Sequence, residues 1–119
     1  MKLIIAGSRD ITDYNILLIA LTKFDLHKKI TQIISGTARG VDQLGELYAK
    51  NNDIPIKRMP ADWNKYGRSA GYRRNEEMAK VGDACLAIWN GSQGTYHMIN
   101  LAKQYKLLTY VYDIRREVE

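Results

Sequence analysis

Gly91-Ser92-Gln93-Gly94-Thr95 is a run of small and polar residues from which an anion seat can be built. Placed between a strand and a helix, such a run lets backbone N–H groups approach a phosphate, and the helix dipole adds favourable charge. Thr95 could cap that helix or donate its hydroxyl to a phosphate oxygen. The alternative is that the glycines only make a tight turn. Arg39, Arg68, Arg73 and Arg74 carry planar guanidinium forks suited to phosphate or carboxylate oxygens, although a solvated helix face accounts for any one of them. Arg73 and Arg74 are helical neighbours about 100° apart, so one of the two is expected to face a crevice. Trp63 and Tyr66 could stack on a base or pack as a lid on the protein's own surface. His27 and His97 lack any metal-ligand spacing, and Cys85 lies in an apolar run where an inert core thiol is expected. Neither a Walker A loop nor a G-x-G-x-x-G fingerprint is present, so P-loop triphosphate hydrolysis is unsupported, and no cofactor or metal is expected.

The elements that must position these residues follow from the apolar pattern. Leu3–Ala6, Ile30–Ile34, Pro55–Met59, Ala84–Trp89 and Leu107–Tyr112 read as five strands with almost no internal alternation. Between them, Tyr14, Leu17, Leu18, Leu21 and Phe24 recur at helical spacing after a cap at Thr12 or Asp13. Val41, Leu44 and Tyr48 outline a second helix that stops at Asn51-Asn52. A third falls between Gly67 and Val81, and Met98, Leu101, Ala102 and Tyr105 mark a fourth. Buried strands alternating with amphipathic helices predict an α/β doubly wound domain over residues 1–119, a Rossmann-like parallel sheet of order 3-2-1-4-5 with helices on both faces. In such a sheet a ligand lies past the carboxyl ends of the strands, where the winding reverses between strands one and four. The loops there hold Gly7-Ser8-Arg9-Asp10, then Ser35-Gly36-Thr37-Ala38-Arg39-Gly40-Val41-Asp42, then Ala61-Asp62-Trp63 with Arg73-Arg74-Asn75, and finally Gly91 to Thr95. Five of the nine glycines (Gly7, Gly36, Gly40, Gly91 and Gly94) fall in three of these loops.

A chain of 119 residues with 45% hydrophobic and 26% charged residues is of ordinary globular composition, which argues against disorder and low-complexity linkers. One cysteine forms no internal disulfide, and a reducing, cytoplasmic setting is the expectation. No apolar run approaches the roughly 20 residues that span a bilayer. The Leu3–Ala6 run is too short for a signal peptide, so no membrane or export role is expected. The formal net charge of +5 is concentrated. Between residues 57 and 80, seven basic residues stand against Asp62, Glu76 and Glu77. That local excess suits either a phosphorylated ligand or a polyanion.

Read together, these loops resemble the SLOG superfamily of Rossmann-like nucleotide-binding domains, and its YspA/YpsA-related branch in particular. The resemblance runs from Ile4 to about Tyr112 and is carried by Ala6–Arg9, Ser35–Asp42, Ala61–Trp63, Ala70-Gly71 with Arg74-Asn75 and Met78, and Gly91–Thr95. It implies a nucleotide-derived phosphorylated ligand, bound for sensing or sequestration, or an N-glycoside hydrolase acting on nucleoside monophosphates or ADP-ribose-type ligands. Two relatives sharpen the alternatives. Arg74-Asn75-Glu76-Glu77-Met78 and Gly91–Met98 are similar to the paired motifs of the Lonely Guy phosphoribohydrolases, which cut the N-glycosidic bond of nucleoside monophosphates. Met98, however, stands where those enzymes place a glutamate. A thioether neither stabilises an oxocarbenium-like centre nor positions water, so Asp10, Asp42, Asp62 or Glu77 would have to substitute, with Arg74 as the carried-over arginine. Ser35-Gly36-Thr37-Ala38-Arg39-Gly40-Val41-Asp42 is also similar to the signature of the DNA-processing recombination mediators, which implies single-stranded nucleic acid as the second alternative. Lonely Guy enzymes are dimers with shared sites, and that resemblance implies a homodimer.

The expectation is thus a phosphate held by Gly91, Ser92, Gln93, Gly94, Thr95, Arg74 and Asn75. Gly7, Ser8, Arg9, Gly36, Thr37 and Arg39 would close the other side, Asp42 would accept a ribose hydroxyl, and Trp63 would lie beside a base.

Overall fold

Residues such as Leu3–Ala6 and Ala84–Ile88 are apolar on both sides of the backbone, which only a strand covered on both faces can accommodate. The computed structural model, which describes residues 1–117, places them so. In chain order the elements are β1 (Lys2–Gly7), α1 (Tyr14–Lys23), β2 (Gln32–Ser35), α2 (Val41–Asn51), β3 (Ile56–Arg58), α3 (Trp63–Tyr66), α4 (Ala70–Val81), β4 (Ala84–Trp89), α5 (Gln93–Gln104), β5 (Leu108–Asp113) and α6 (Ile114–Glu117). The five strands form one all-parallel sheet in the order β3-β2-β1-β4-β5, as the pattern predicts.

Strand alternation divides the core into two layers. Leu3, Ile5, Ile33, Leu86 and Ile88 face α1 and α2, packing with Leu17, Leu21, Val41 and Tyr48. Ile4, Ala6, Ile34, Cys85 and Ala87 face α4 and α5, packing with Met78, Met98 and Leu101. Cys85 is fully buried, and burial pushes its thiol up to about 12, so it remains protonated at neutral pH.

Local details depart from the expected pattern for identifiable reasons. Asp13 rather than Thr12 caps α1, accepting a hydrogen bond from the Asn15 amide at 2.9 Å. Leu18 sits on the outer side of that helix, and Ala20 takes the buried position instead. β3 is only three residues long and carries Lys57 and Arg58, charges that suit an exposed edge. Its flanks still pair, since the Ile33 amide donates to the Pro55 carbonyl at 2.9 Å and the Met59 amide to the Ser35 carbonyl at 2.8 Å. The stretch after β3, read from the sequence as loop, contains α3. Asp62 caps it, accepting from the Lys65 amide at 3.0 Å, and a single 3-10 turn at Gly67–Ser69 leads into α4. Among the described residues, no helix is long and apolar enough to cross a membrane.

Candidate functional site

β1 lies between β2 and β4, so the winding reverses at the β1–β4 seam, where Gly7 pairs with Ile88. A cleft of about 460 Å³ opens past these strand ends, within the range of small-molecule sites. Its floor is the end of β1, one wall is the start of α5, and the other is α4.

The α5 wall is built for close approach by an anion. Ser92, not Thr95, is the cap residue, and among the described residues no side chain bonds to the backbone N–H groups of the first turn. A helix start leaves those amides without intrahelical partners. The two glycines of the loop do different jobs. Gly91, at φ +99°, makes the turn, a conformation that few L residues adopt. Gly94 needs no special conformation, and a Cβ there would meet no atom within 4 Å, so the helix start stands bare to the cleft. The Thr95 side chain sits in the first turn and accepts a hydrogen bond from Ser92 Oγ at 3.0 Å, which leaves its own hydroxyl proton free to donate. Ser92 Oγ also lies 3.0 Å from Ser8 Oγ, which donates to Asn90 Oδ1 at 2.6 Å. Asn90 in turn donates to Asp10 at 2.9 Å. This polar chain links the ends of β1 and β4. Behind it, Trp89 stacks on Tyr96, with ring centroids 5.7 Å apart, lies under the Arg115 guanidinium, and donates its indole N–H to the Ser92 carbonyl at 2.9 Å.

The α4 wall presents Gly71, Arg74, Asn75 and Met78, spaced as one helical stripe. Arg74 and not Arg73 turns inward. Its guanidinium donates to the Gly36 carbonyl and, through Nε, to Asn75 Oδ1 at 3.1 Å. Asn75 Nδ2 donates to His97 Nδ1 at 3.2 Å, so the carboxamide joins α4 to α5. Arg73 points away, donates to Ser69 Oγ and stacks on Tyr66. Asp42, in the first turn of α2, is buried and accepts from the Ala38 amide at 3.1 Å. Burial pushes its carboxyl up to about 6, and the Ala38 amide and Arg74 only partly counter this. A side chain at Gly36 would strike both Arg74 and Asp42.

A second lobe of about 440 Å³ adjoins the first and shares Arg9, Ala38, Trp63 and Arg74 with it. Gly36, Thr37 and Arg39 line this lobe alone. The arginines that line the clefts make no close ion pair among the described residues, a state they share with Arg73 and most lysines outside them. Among the described residues, Arg58, Arg115 and Arg116 each meet a carboxylate within 4 Å, whereas Arg9, Arg39, Arg68 and Arg74 meet none.

Not every expected residue reaches the cleft. Gly91 and Gln93 shape the loop without lining either lobe. Of the candidate carboxylates, Asp10 and Asp42 line the cleft and the other two do not. Asp62 is occupied as the α3 cap, and Glu77 lies on the outer face of α4, 3.5 Å from Lys80. Met98 does line the cleft, and no carboxylate replaces it on that helix face. Tyr72, also a lining residue, was not singled out from the sequence; its i, i+3 relation to Asn75 is the signal that would have found it.

A family model for YspA, cpYpsA-related SLOG proteins matches residues 1–66, which hold β1 through α3 and the first two strand-end loops. The chain belongs to this SLOG family. The gene 61 protein of Mycobacterium phage D29 is 32% identical over 112 residues, covering 87% of this chain and 89% of that protein. That similarity extends over most of the SLOG chain, beyond the stretch the family model matches. A nucleotide-related Rossmann-like domain is what the family and the parallel sheet together support.

Proposed function

We propose that the cleft binds a nucleotide or nucleotide-derived phosphorylated ligand, with a phosphate seated on the start of α5. The observation that carries this reading is the bare helix start at Gly94, facing the Arg74 guanidinium across one cleft. Backbone amides, a helix dipole and a fork of N–H donors then converge on one anion. In this reading the free proton of Thr95 adds a donor, Asp42 in the cleft accepts a ribose hydroxyl, and Trp63, also a lining residue, packs beside a base.

One observation favours a second reading, hydrolysis of an N-glycosidic bond. Asp42 is a buried carboxyl in the cleft, held up at about 6, where it could exchange a proton near neutral pH. A single experiment separates the readings. The protein is titrated with a panel of nucleoside monophosphates, nicotinamide adenine dinucleotide and ADP-ribose, with binding followed by calorimetry and free base by chromatography. Binding without base release supports a sensing or sequestering domain, and release that Asp42→Asn abolishes supports the hydrolase. If short single-stranded oligonucleotides bind and mononucleotides do not, with affinity falling steeply in salt, the cleft reading is refuted in favour of nucleic acid.

A further inference from the structure

We propose that the lobe beside the main cleft is a second anion subsite, so that the natural ligand is a nucleoside carrying two phosphate groups rather than one. This rests on the nucleotide reading above and specifies its ligand class.

The two lobes differ in their chemistry. The main cleft sets Asp10 and Asp42 among its arginines, a mixture suited to a ligand with both anionic and hydroxyl groups. The lining of the second lobe holds Arg9, Arg39 and Arg74 and no carboxylate at all. None of these three guanidiniums meets a carboxylate within 4 Å among the described residues, although the chain pairs Arg58, Arg115 and Arg116 elsewhere. Arg9 and Arg39 share one hollow with Arg74, whose counter-charge is the nearby Asp42, and a bound dianion relieves the repulsion among the three.

Two backbone amides of this lobe are already engaged. The Thr37 amide donates to Ser35 Oγ at 3.1 Å and the Ala38 amide to Asp42 Oδ2 at 3.1 Å. An anion here meets the side-chain forks of Arg9, Arg39 and Arg74, whereas one in the main cleft rests on the helix start. The two donor sets differ and share Arg9 and Arg74. Arg74 lines both lobes, and its Nε and one terminal nitrogen are fixed by Asn75 Oδ1 and the Gly36 carbonyl. Its remaining donors are held at the junction, where they can bridge two phosphates of one ligand. Size agrees with this. A main cleft of about 460 Å³ is of the order of a small-ligand site, and the adjoining 440 Å³ remains for a further group.

Calorimetry with the 5′-monophosphates, 5′-diphosphates and 3′,5′-bisphosphates of the four common nucleosides tests this, on the intact protein and on Arg39→Ala and Gly94→Asp variants. Arg39 lies on the exposed loop before α2, so its truncation leaves the core untouched. The expected result is that, for the preferred base, one doubly phosphorylated form binds at least about tenfold tighter than the monophosphate. Arg39→Ala should erase most of that gain while shifting the monophosphate far less, and Gly94→Asp should weaken both. The two doubly phosphorylated arms distinguish a second phosphate on the same oxygen chain from one on the far side of the ribose. The proposal is overturned if monophosphates bind and neither doubly phosphorylated form binds tighter. It is overturned equally if the gain survives Arg39→Ala, or if a single-stranded hexanucleotide outbinds every mononucleotide. Failure of all nucleotides to bind refutes the nucleotide reading itself, which is a distinct outcome.

Discussion

Replacing Gly94 by aspartate should move stability and binding in opposite directions. A side chain at this position meets no atom within 4 Å, so the substitution creates no clash in the folded protein. Gly94 is the second residue of α5, whose start has no side-chain cap bond. A carboxylate there complements the helix dipole by about 0.3–1 kcal/mol, and losing a helical glycine adds a few tenths. For a domain of this size, that gain corresponds to a melting temperature higher by about 2–4 °C. The same carboxylate occupies the place of the phosphate. Two unit charges about 4 Å apart repel by roughly 4 kcal/mol at an effective dielectric of 20, so affinity for any phosphorylated ligand should fall by at least about a hundredfold. Thermal denaturation monitored by circular dichroism reads the first effect, and calorimetric titration with the tightest nucleotide of the panel reads the second. A Gly94→Asp protein that binds nucleotide as well as the parent would refute the placement of the anion on α5. A variant that melts several degrees lower would refute the open geometry at Gly94.

Three further outcomes follow from the same structure. Asp42 titrates at about 6 in the folded protein against an ordinary 3.8, so between those values the folded state holds a proton that the unfolded chain has released. Stability therefore falls as pH rises through that window, and Asp42→Asn should stabilise the protein at pH 7.5 by up to about 3 kcal/mol. That advantage should vanish below about pH 4, as urea unfolding at the two pH values will show. Gly7→Ala would set a methyl group 2.3 Å from the Ile88 carbonyl oxygen and against Val41, at the joint of β1, β4 and α2. A cost of about 3 kcal/mol or more is expected from chemical denaturation. Trp89→Phe keeps the ring beside Tyr96 but loses the hydrogen bond to the Ser92 carbonyl. It should lower stability by about 1 kcal/mol, with a several-fold loss of phosphate affinity by calorimetry as the α5 start loosens.

The parts of the fold legible from sequence are those in which one physical effect dominates. β4 reads correctly from Ala84 to Trp89 because five of its six residues are buried and the sheet covers both of its faces. The sheet order follows from the same unbroken apolar runs. The apolar pattern delimits α4 only to Gly67–Val81, because its inward stripe of Gly71, Arg74 and Asn75 faces a cleft and interrupts the apolar period. α3 is too short to show any period, and only the Asp62 cap betrays it. The same limit governs the carboxylates. Asp42 and Asp62 are alike as residue types beside strand ends, yet one is buried in the cleft and the other is occupied by a four-residue helix. Spacing could say that one of Arg73 and Arg74 turns inward; the hydrogen bonds at Gly36 and Ser69 decide which.

Several features that cost stability lie around the clefts past the strand ends. Among the described residues, Asp42 is buried with no ion pair within 4 Å, α5 begins without a side-chain cap bond, and Thr37 holds φ +66° on the loop before α2. Each feature costs stability by ordinary rules, through desolvation, an uncapped helix start and left-handed backbone. Four arginines that make no close ion pair among the described residues line the same clefts. Uncompensated donors and cations set around one cleft are what a binding site requires. An anion supplies in one step what these groups lack: an acceptor for the α5 amides and a counter-charge for the guanidiniums. Ligand should therefore raise the melting temperature of this chain with a strong dependence on phosphate number, and a nucleoside without phosphate should leave it unmoved.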